Sequence, residues 1–103
     1  MMQGDSYALT IEIMNSSKVY VTKTDVTNVE VMIGSLRKTY ADGEVAYDSA
    51  TGKWKVPLTQ DETFEFPPSK VKVQARVVLA NGDIEGVDLG EIRILESISK
   101  EVL

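Results

Sequence analysis

The chain of 103 residues contains no cysteine and no histidine. Without cysteine it has no disulfide framework, no thiolate nucleophile and no thiolate metal site. Without histidine it lacks the most common general base and the most common metal ligand. We therefore expect a protein that is not an enzyme, with no catalytic residue, no cofactor and no metal site. The lack of cysteine also fits a reducing compartment.

Long hydrophobic segments are missing too, and even the longest uninterrupted apolar runs are no longer than Val77–Ala80. Such runs cannot cross a bilayer, and Met1–Ser6 has neither the basic region nor the apolar core of a signal peptide. Acidic residues outnumber basic ones by 16 to 11, and the net charge of −5 opposes unspecific nucleic-acid binding. We expect neither a membrane nor a nucleic acid as partner, and we expect the protein to be made and folded in a cytoplasm.

The hydrophobic residues that are present alternate with polar ones, which is typical of half-buried β-strands. The longest case is Ser69–Leu79, where valines and one alanine share one face and Lys70, Lys72 and Arg76 share the other. No aromatic residue stands among these basic residues to stack on a base, so they indicate a solvated sheet face. Four further segments have strand character. They are Tyr7–Ile13, Val29–Ile33, Lys53–Leu58 and Ile84–Leu95.

Turn residues separate these segments. Asp42-Gly43 predicts a hairpin between Leu36–Ala41 and Glu44–Tyr47, and Asp48–Gly52 predicts a longer hairpin loop. Asn81-Gly82 predicts a tight turn before the last strand.

Proline and glycine also mark positions inside the strands. Pro57 predicts that its strand lies at a sheet edge or ends there, because proline cannot donate to a ladder. Gly86 and Gly90 predict bulges or bends in the last strand. The proline and the two glycines thus predict the positions where regular strand pairing is interrupted.

Thr59 and Glu62 match the T-x-x-E capping box of a first helical turn. One short helical turn near residues 59–63 between two strands is typical of a crossover between sheets. We predict an all-β fold: a single immunoglobulin-like antiparallel β-sandwich of about seven strands, without the cysteine pair of antibody domains. A small barrel is the alternative. The domain is predicted to span residues 7–96, between a flexible N-terminus at 1–6 and a C-terminal tail at 97–103.

Acidic residues near the Asn81-Gly82 turn raise the question of a calcium site. Asp83, Glu85 and Asp88 lack the dense spacing of a calcium-binding loop, so a solvated loop is the better interpretation. Asp61, Glu62 and Glu65 could form an acid/base pair only if one carboxyl group were buried. The capping role of Glu62 explains that segment better.

Two stretches carry a resemblance to a known group of proteins: Val56–Phe64, VPLTQDETF, and Val71–Val77, VKVQARV. They resemble small uncharacterised all-β proteins encoded in prophages of Gram-positive Firmicutes, which have an LTQEET-like turn and a V-x-Q-x-R-V-like strand. The similarity covers nearly the whole chain, including Asn81–Asp83, Gly86–Ile94 and Lys100–Leu103. It implies a fold similar to the immunoglobulin-like domains of baseplate and tail proteins, and it implies no catalytic residue.

The leading hypothesis is a non-enzymatic phage or prophage structural protein, a tail or baseplate assembly component that acts through protein–protein contacts. Its partners would be other phage structural proteins or further copies of itself. The apolar tail residues Ile98, Val102 and Leu103 are candidates for the contact. The alternative is a β-sandwich that binds carbohydrate or the host surface. Its candidate aromatic platform is Tyr20, Tyr40 and Tyr47. Whether the protein enters the virion stays open.

Overall fold

A computed structural model describes all 103 residues, Met1–Leu103. The chain forms seven strands and one short helix. These are β1 (Tyr7–Ile11), β2 (Val26–Ile33), β3 (Leu36–Thr39), β4 (Ala46–Asp48), β5 (Lys53–Leu58), α1 (Gln60–Phe64), β6 (Lys70–Leu79) and β7 (Ile84–Arg93). No helix has the length and apolarity needed to span a membrane.

The strands form two antiparallel sheets. One has three strands in the order β1-β5-β4, and the other has four in the order β3-β2-β6-β7. The chain crosses between the sheets after β1, after β3 and after β5. Helix α1 occupies the last crossover, where Thr59 and Glu62 form the predicted capping box. The prediction of an all-β sandwich with a helical turn near residues 59–63 is confirmed.

The core lies between the inward faces of the two sheets. Val29, Val31 and Ile33 of β2 are fully buried, and Trp54 and Val56 face them from β5. Eighteen buried hydrophobic residues belong to this core. Complete burial of each such side chain stabilises the fold by about 1.5–3 kcal/mol. The burial of these alternating hydrophobic residues is therefore the main source of stability.

The predicted hairpin at Asp42-Gly43 is wrong. Strand β3 pairs with β2, whereas β4 pairs with β5, so this turn carries the chain from one sheet to the other. Thr39 Oγ1 donates to Asp42 Oδ2 over 2.7 Å, and the Ala41 N–H donates to Asn28 Oδ1 of β2 over 3.0 Å. The first bond stabilises the turn itself, and the second holds the turn against β2.

The hairpin partner of β3 is β2. The two strands are joined by Gly34-Ser35, with Ile33 opposite Leu36. Gly34 has φ of 59°, a left-handed conformation that favours glycine. This short connection explains why the chain leaves β2 and returns beside it at once.

Pro57 lies in β5, which is the central strand of its sheet and not an edge strand. Strand β4 covers only Lys53–Lys55, so beyond Lys55 β5 has one neighbour, β1, and Pro57 stands opposite Ala8. The other predicted outcome, that the strand ends near Pro57, is confirmed because β5 ends at Leu58.

The bulge predicted at Gly90 is present, and the one at Gly86 is not. Gly86 lies in regular register opposite Arg76. The register shifts further along, where Lys72 faces Glu91 but Gln74 faces Asp88. Gly90 lies inside this shift with φ of 90°, a conformation that bulges commonly place at glycine.

Both ends of the chain lie against the domain. The Gln3 N–H donates to the Leu95 carbonyl, the Leu95 N–H donates to the Met1 carbonyl, and both bonds are 2.9 Å long. Gln3 is buried, and its amide donates to the Phe66 carbonyl over 2.8 Å. The Leu103 N–H donates to Gln60 Oε1 over 3.1 Å. The flexibility of residues 1–6 and the domain limits of 7–96 stay predictions.

Candidate protein-interaction site

Strand β7 is the last strand of its sheet and pairs only with β6. The Leu79 N–H donates to the Asp83 carbonyl at the start of this ladder. Along an antiparallel ladder, residue pairs that exchange backbone hydrogen bonds alternate with pairs whose backbone groups point away from each other. The backbone N–H and C=O groups of Ile84, Gly86 and Asp88 therefore point away from β6.

Beyond the bulge, bonded and unbonded residue pairs of β6 and β7 alternate in the same way. The Ile94 N–H donates to the Ser69 carbonyl, so Glu91 and Arg93 also direct their backbone groups away from β6. The Arg93 carbonyl does accept a hydrogen bond from outside the ladder, from the Met1 ammonium group over 3.3 Å. This contact confirms the direction of the outward groups.

Other parts of the chain cover the two ends of this edge. At one end, Met1–Gln3 runs parallel to the residues around Leu95. At the other end, the Ser16 hydroxyl donates to Glu85 Oε1 over 2.7 Å. No strand pairs with the stretch between them, Gly86–Glu91, which we call the open edge.

The open edge is acidic. The carboxylates of Glu85, Asp88 and Glu91 form no salt bridge, since the ion pairs of the protein involve Glu12, Glu30, Asp48, Glu62 and Glu96 instead. Asp88 accepts the Gly90 N–H over 2.9 Å, which supports the bulge. No three acidic groups converge where they could hold a metal ion. Lys72 of β6 lies opposite Glu91 without forming a salt bridge with it, so the two carboxylates of the open edge, Asp88 and Glu91, have no ion-pair partner within the chain.

Two shallow grooves flank the open edge and share Gly86–Asp88. One, of about 560 Å³, lies between β7 and the loop Met14–Ser16. The other, of about 300 Å³, lies on the solvent face of the four-stranded sheet and reaches Met32 and Glu30. A Cβ atom at Gly86 would meet nothing within 4 Å. Gly86 therefore has open space beside it where the linings of the two grooves meet.

Met14 lines the first groove, and further exposed apolar side chains lie in the same turn as Met14 and at the start of β7. Met14 pairs with Tyr20 across a small turn, and Met14, Val19 and Tyr20 are 39%, 58% and 51% exposed. Ile84, the first residue of β7, is 62% exposed. Sequence reasoning missed this surface, because its residues come from separate segments and the strand order decides that they meet.

The predicted tail residues lie elsewhere. Ile98 and Leu103 are fully exposed, and Val102 is 54% exposed. Val102 and Leu103 line a shallow groove with Ser6 and Pro57–Asp61, which contains no residue of β7. The structure therefore does not bring the tail together with the open edge.

The three predicted tyrosines do not share one exposed surface. Tyr40 and Tyr47 are half-buried against Trp54, with ring centroids 5.3 and 4.8 Å from the indole. Tyr20 is the exposed ring. The neighbouring Glu12 carboxylate raises the pKa of Tyr20, first by accepting its hydrogen bond and then by its charge. Two of the three rings thus support the core.

Comparisons with protein-family models, with curated proteins and with solved structures found no match. The class of protein is defined by the fold itself, an all-β sandwich of a three-stranded and a four-stranded sheet. Its most distinctive surface is the open edge of β7 with the adjacent apolar residues.

Proposed function

We propose that this chain is a non-enzymatic structural protein of a phage or prophage, a tail or baseplate component that acts through protein–protein contacts. The observation that carries the proposal is the open edge of β7 beside the exposed side chains of Met14, Val19, Tyr20 and Ile84. Unpaired strand edges offer a row of backbone donors and acceptors to another chain. Adjacent exposed apolar residues add surface that a partner can bury.

The sequence resemblance supplies the biological setting of the proposal. Val56–Phe64 and Val71–Val77 resemble prophage-encoded proteins, and these residues form the end of β5, helix α1 and the middle of β6. An immunoglobulin-like sandwich with a helical crossover, like those of baseplate and tail proteins, is compatible with the sheets of three and four strands.

The alternative of carbohydrate binding depends on exposed aromatic rings. Tyr40 and Tyr47 pack against Trp54, which leaves Tyr20 as the one exposed candidate. No specific observation favours this second function.

Particle composition tests the proposal. A lysogen that encodes the chain is induced, particles are purified on a density gradient, and their proteins are quantified by mass spectrometry. A matched preparation from a strain that lacks the gene is the control. We expect the chain in the particles at a fixed ratio to a tail or baseplate protein, and defective tails without the gene. A chain absent from the particles, from assembly intermediates and from complexes with tail proteins would overturn the proposal.

A further inference from the structure

We propose that the open edge of β7 accepts one extended segment of a partner protein as an added strand, and that basic and apolar residues alternate in this segment. The inference rests on the proposed function for the kind of partner, and it names the surface and the chemistry of recognition. Three observations support it: the direction of the backbone groups, the charge on one side of the edge and the groove on the other.

The backbone groups give the site its shape. Gly86, Asp88 and Glu91 direct their N–H and C=O groups away from β6, and no part of the chain pairs with them. The protein already uses strand addition nearby, where Met1–Gln3 bonds to Arg93 and Leu95. The open edge is about 15–20 Å long. It therefore suits a partner segment of about six residues.

The solvent side of the open edge selects basic residues. Arg76 opposite Gly86 and Gln74 opposite Asp88 face solvent from β6, so Gly86 and Asp88 lie on the solvent face of the sheet. The Asp88 and Glu91 carboxylates form no salt bridge. Lysine or arginine opposite them in a cross-strand pair is stabilising, whereas another carboxylate is destabilising.

This charge also decides against a second copy as the occupant. Antiparallel pairing of two β7 strands around Asp88 would place this residue opposite its own copy on the solvent face of the sheet. Like charges directly opposite each other destabilise a strand pair. The acidic residues thus discourage self-association through this edge, and they favour a basic segment of another protein.

The inner side of the open edge selects apolar residues. Val87 and Leu89 alternate with the outward residues and are half-buried against the core. The groove of about 560 Å³ lies on this side, and its two hydrophobic lining residues, Met14 and Val87, stand beside the polar residues Asn15, Ser16 and Glu85. An added strand would direct every second side chain into this groove, where an apolar side chain would cover Met14 and Val87.

Two variants at Gly86 form a matched pair. The Gly86 N–H points away from β6, and a side chain there meets open space. Gly86→Pro removes one outward donor and keeps the β6–β7 ladder, as proline does at strand edges. Gly86→Ala keeps the donor. Circular dichroism and thermal unfolding of both variants would verify that each is folded.

The test measures binding of two blocked octapeptides, one alternating lysine with valine and one alternating glutamate with valine. Calorimetry at low salt gives the affinities, and amide hydrogen exchange reports the backbone. We expect the lysine peptide to bind about tenfold or more tightly than the glutamate peptide, because two opposite-charge contacts replace two like-charge contacts. Binding should protect the amides of Gly86, Asp88 and Glu91. Gly86→Ala should bind normally, whereas Gly86→Pro should lose at least about tenfold in affinity.

Three results would overturn the inference: no binding of the lysine peptide, equal binding by Gly86→Pro, or binding without protection of the open edge. The last two would mean charge attraction without strand addition. These failures are separate from failure of the proposed function. A chain found in particles whose edge binds no peptide keeps its structural role and refutes the strand addition. A chain absent from particles whose edge binds as expected retains the site and refutes the phage role.

Discussion

Glu62 has two structural roles, and replacing it with glutamine separates them. Its Oε1 atom accepts the Thr59 N–H over 2.9 Å in the capping box. Its Oε2 atom lies 2.6 Å from Nζ of Lys38, whose side chain is only 10% exposed. Lys38 lies opposite Val31 in the β2–β3 pair, on the inward face of the sheet. Glu62→Gln preserves the cap, since glutamine serves in capping boxes, but it leaves the Lys38 ammonium group without its anion.

The stability that Glu62→Gln is expected to lose lies between two known limits. Removing one partner of a fully buried ion pair costs about 3–5 kcal/mol, whereas an exposed pair contributes less than about 1 kcal/mol. The Glu62 side chain is 24% exposed and that of Lys38 is 10% exposed. We therefore expect Glu62→Gln to lower the free energy of unfolding by about 2 kcal/mol. For a domain of this size, Tm should fall by roughly 8–16 °C.

Lys38→Met supplies the control for this interpretation. An apolar side chain of similar length removes the buried charge together with its desolvation penalty, so the loss should stay within about 1 kcal/mol. The double variant Glu62→Gln/Lys38→Met should be more stable than Glu62→Gln alone. Urea unfolding followed by Trp54 fluorescence measures all three variants. A loss below about 0.5 kcal/mol for Glu62→Gln, or a double variant as unstable as the sum of the single ones, would refute the reasoning.

Three further expectations concern stability. Trp54→Phe should cost about 1–3 kcal/mol, because the buried Val21 carbonyl loses the indole N–H that donates to it over 3.1 Å; chemical unfolding would measure the loss, and an unchanged midpoint would contradict it. Gly4→Ala should cost at least about 1 kcal/mol, because Gly4 has φ of 84° and a Cβ atom there would lie 2.6 Å from the Phe64 ring; a thermal scan without a drop in Tm would refute the clash. Burial raises the pKa of Glu62, but the Lys38 ammonium group and the Thr59 N–H outweigh it, so the pKa is lowered overall. The stability that the Glu62 carboxylate contributes is therefore present above the pKa of the unfolded state, near 4.5. This stability is lost as the pH falls through the lower pKa of the folded state. Unfolding midpoints between pH 7 and pH 3 should fall less steeply for Glu62→Gln, and parallel profiles would contradict this.

Local patterns in the sequence predicted the parts of the fold that depend on neighbouring residues. The alternation in Ser69–Leu79 correctly placed its valines inward, because side chains of a strand point to opposite faces in turn. The Thr59–Glu62 pair correctly located α1, because its hydrogen bonds link residues only three positions apart. Neither inference requires knowledge of the rest of the molecule.

The remaining features depend on strand order, which no local pattern specifies. Asp42-Gly43 has the residues of a hairpin turn, yet the pairing of β3 with β2 makes it a crossover. Lys38 shares its strand face with Leu36, and this was the one available sign that the lysine is buried. The open edge became visible only when β7 proved to be the last strand of its sheet. The predicted tail and tyrosine sites came from residue type alone, which does not report on neighbours.

The order β3-β2-β6-β7 also bears on how the chain reaches its native state. Both sheets are centred on pairings between distant parts of the sequence, with Val29 beside Val77 in one and Leu9 beside Val56 in the other. Each pairing closes a long loop before its contacts can compensate for the lost chain entropy. Proteins of such high contact order fold on the order of milliseconds to seconds. During synthesis, β2 must leave the ribosome and wait for β6. A transient partner for its exposed valines, such as a chaperone, would then matter more than for a protein built from successive hairpins.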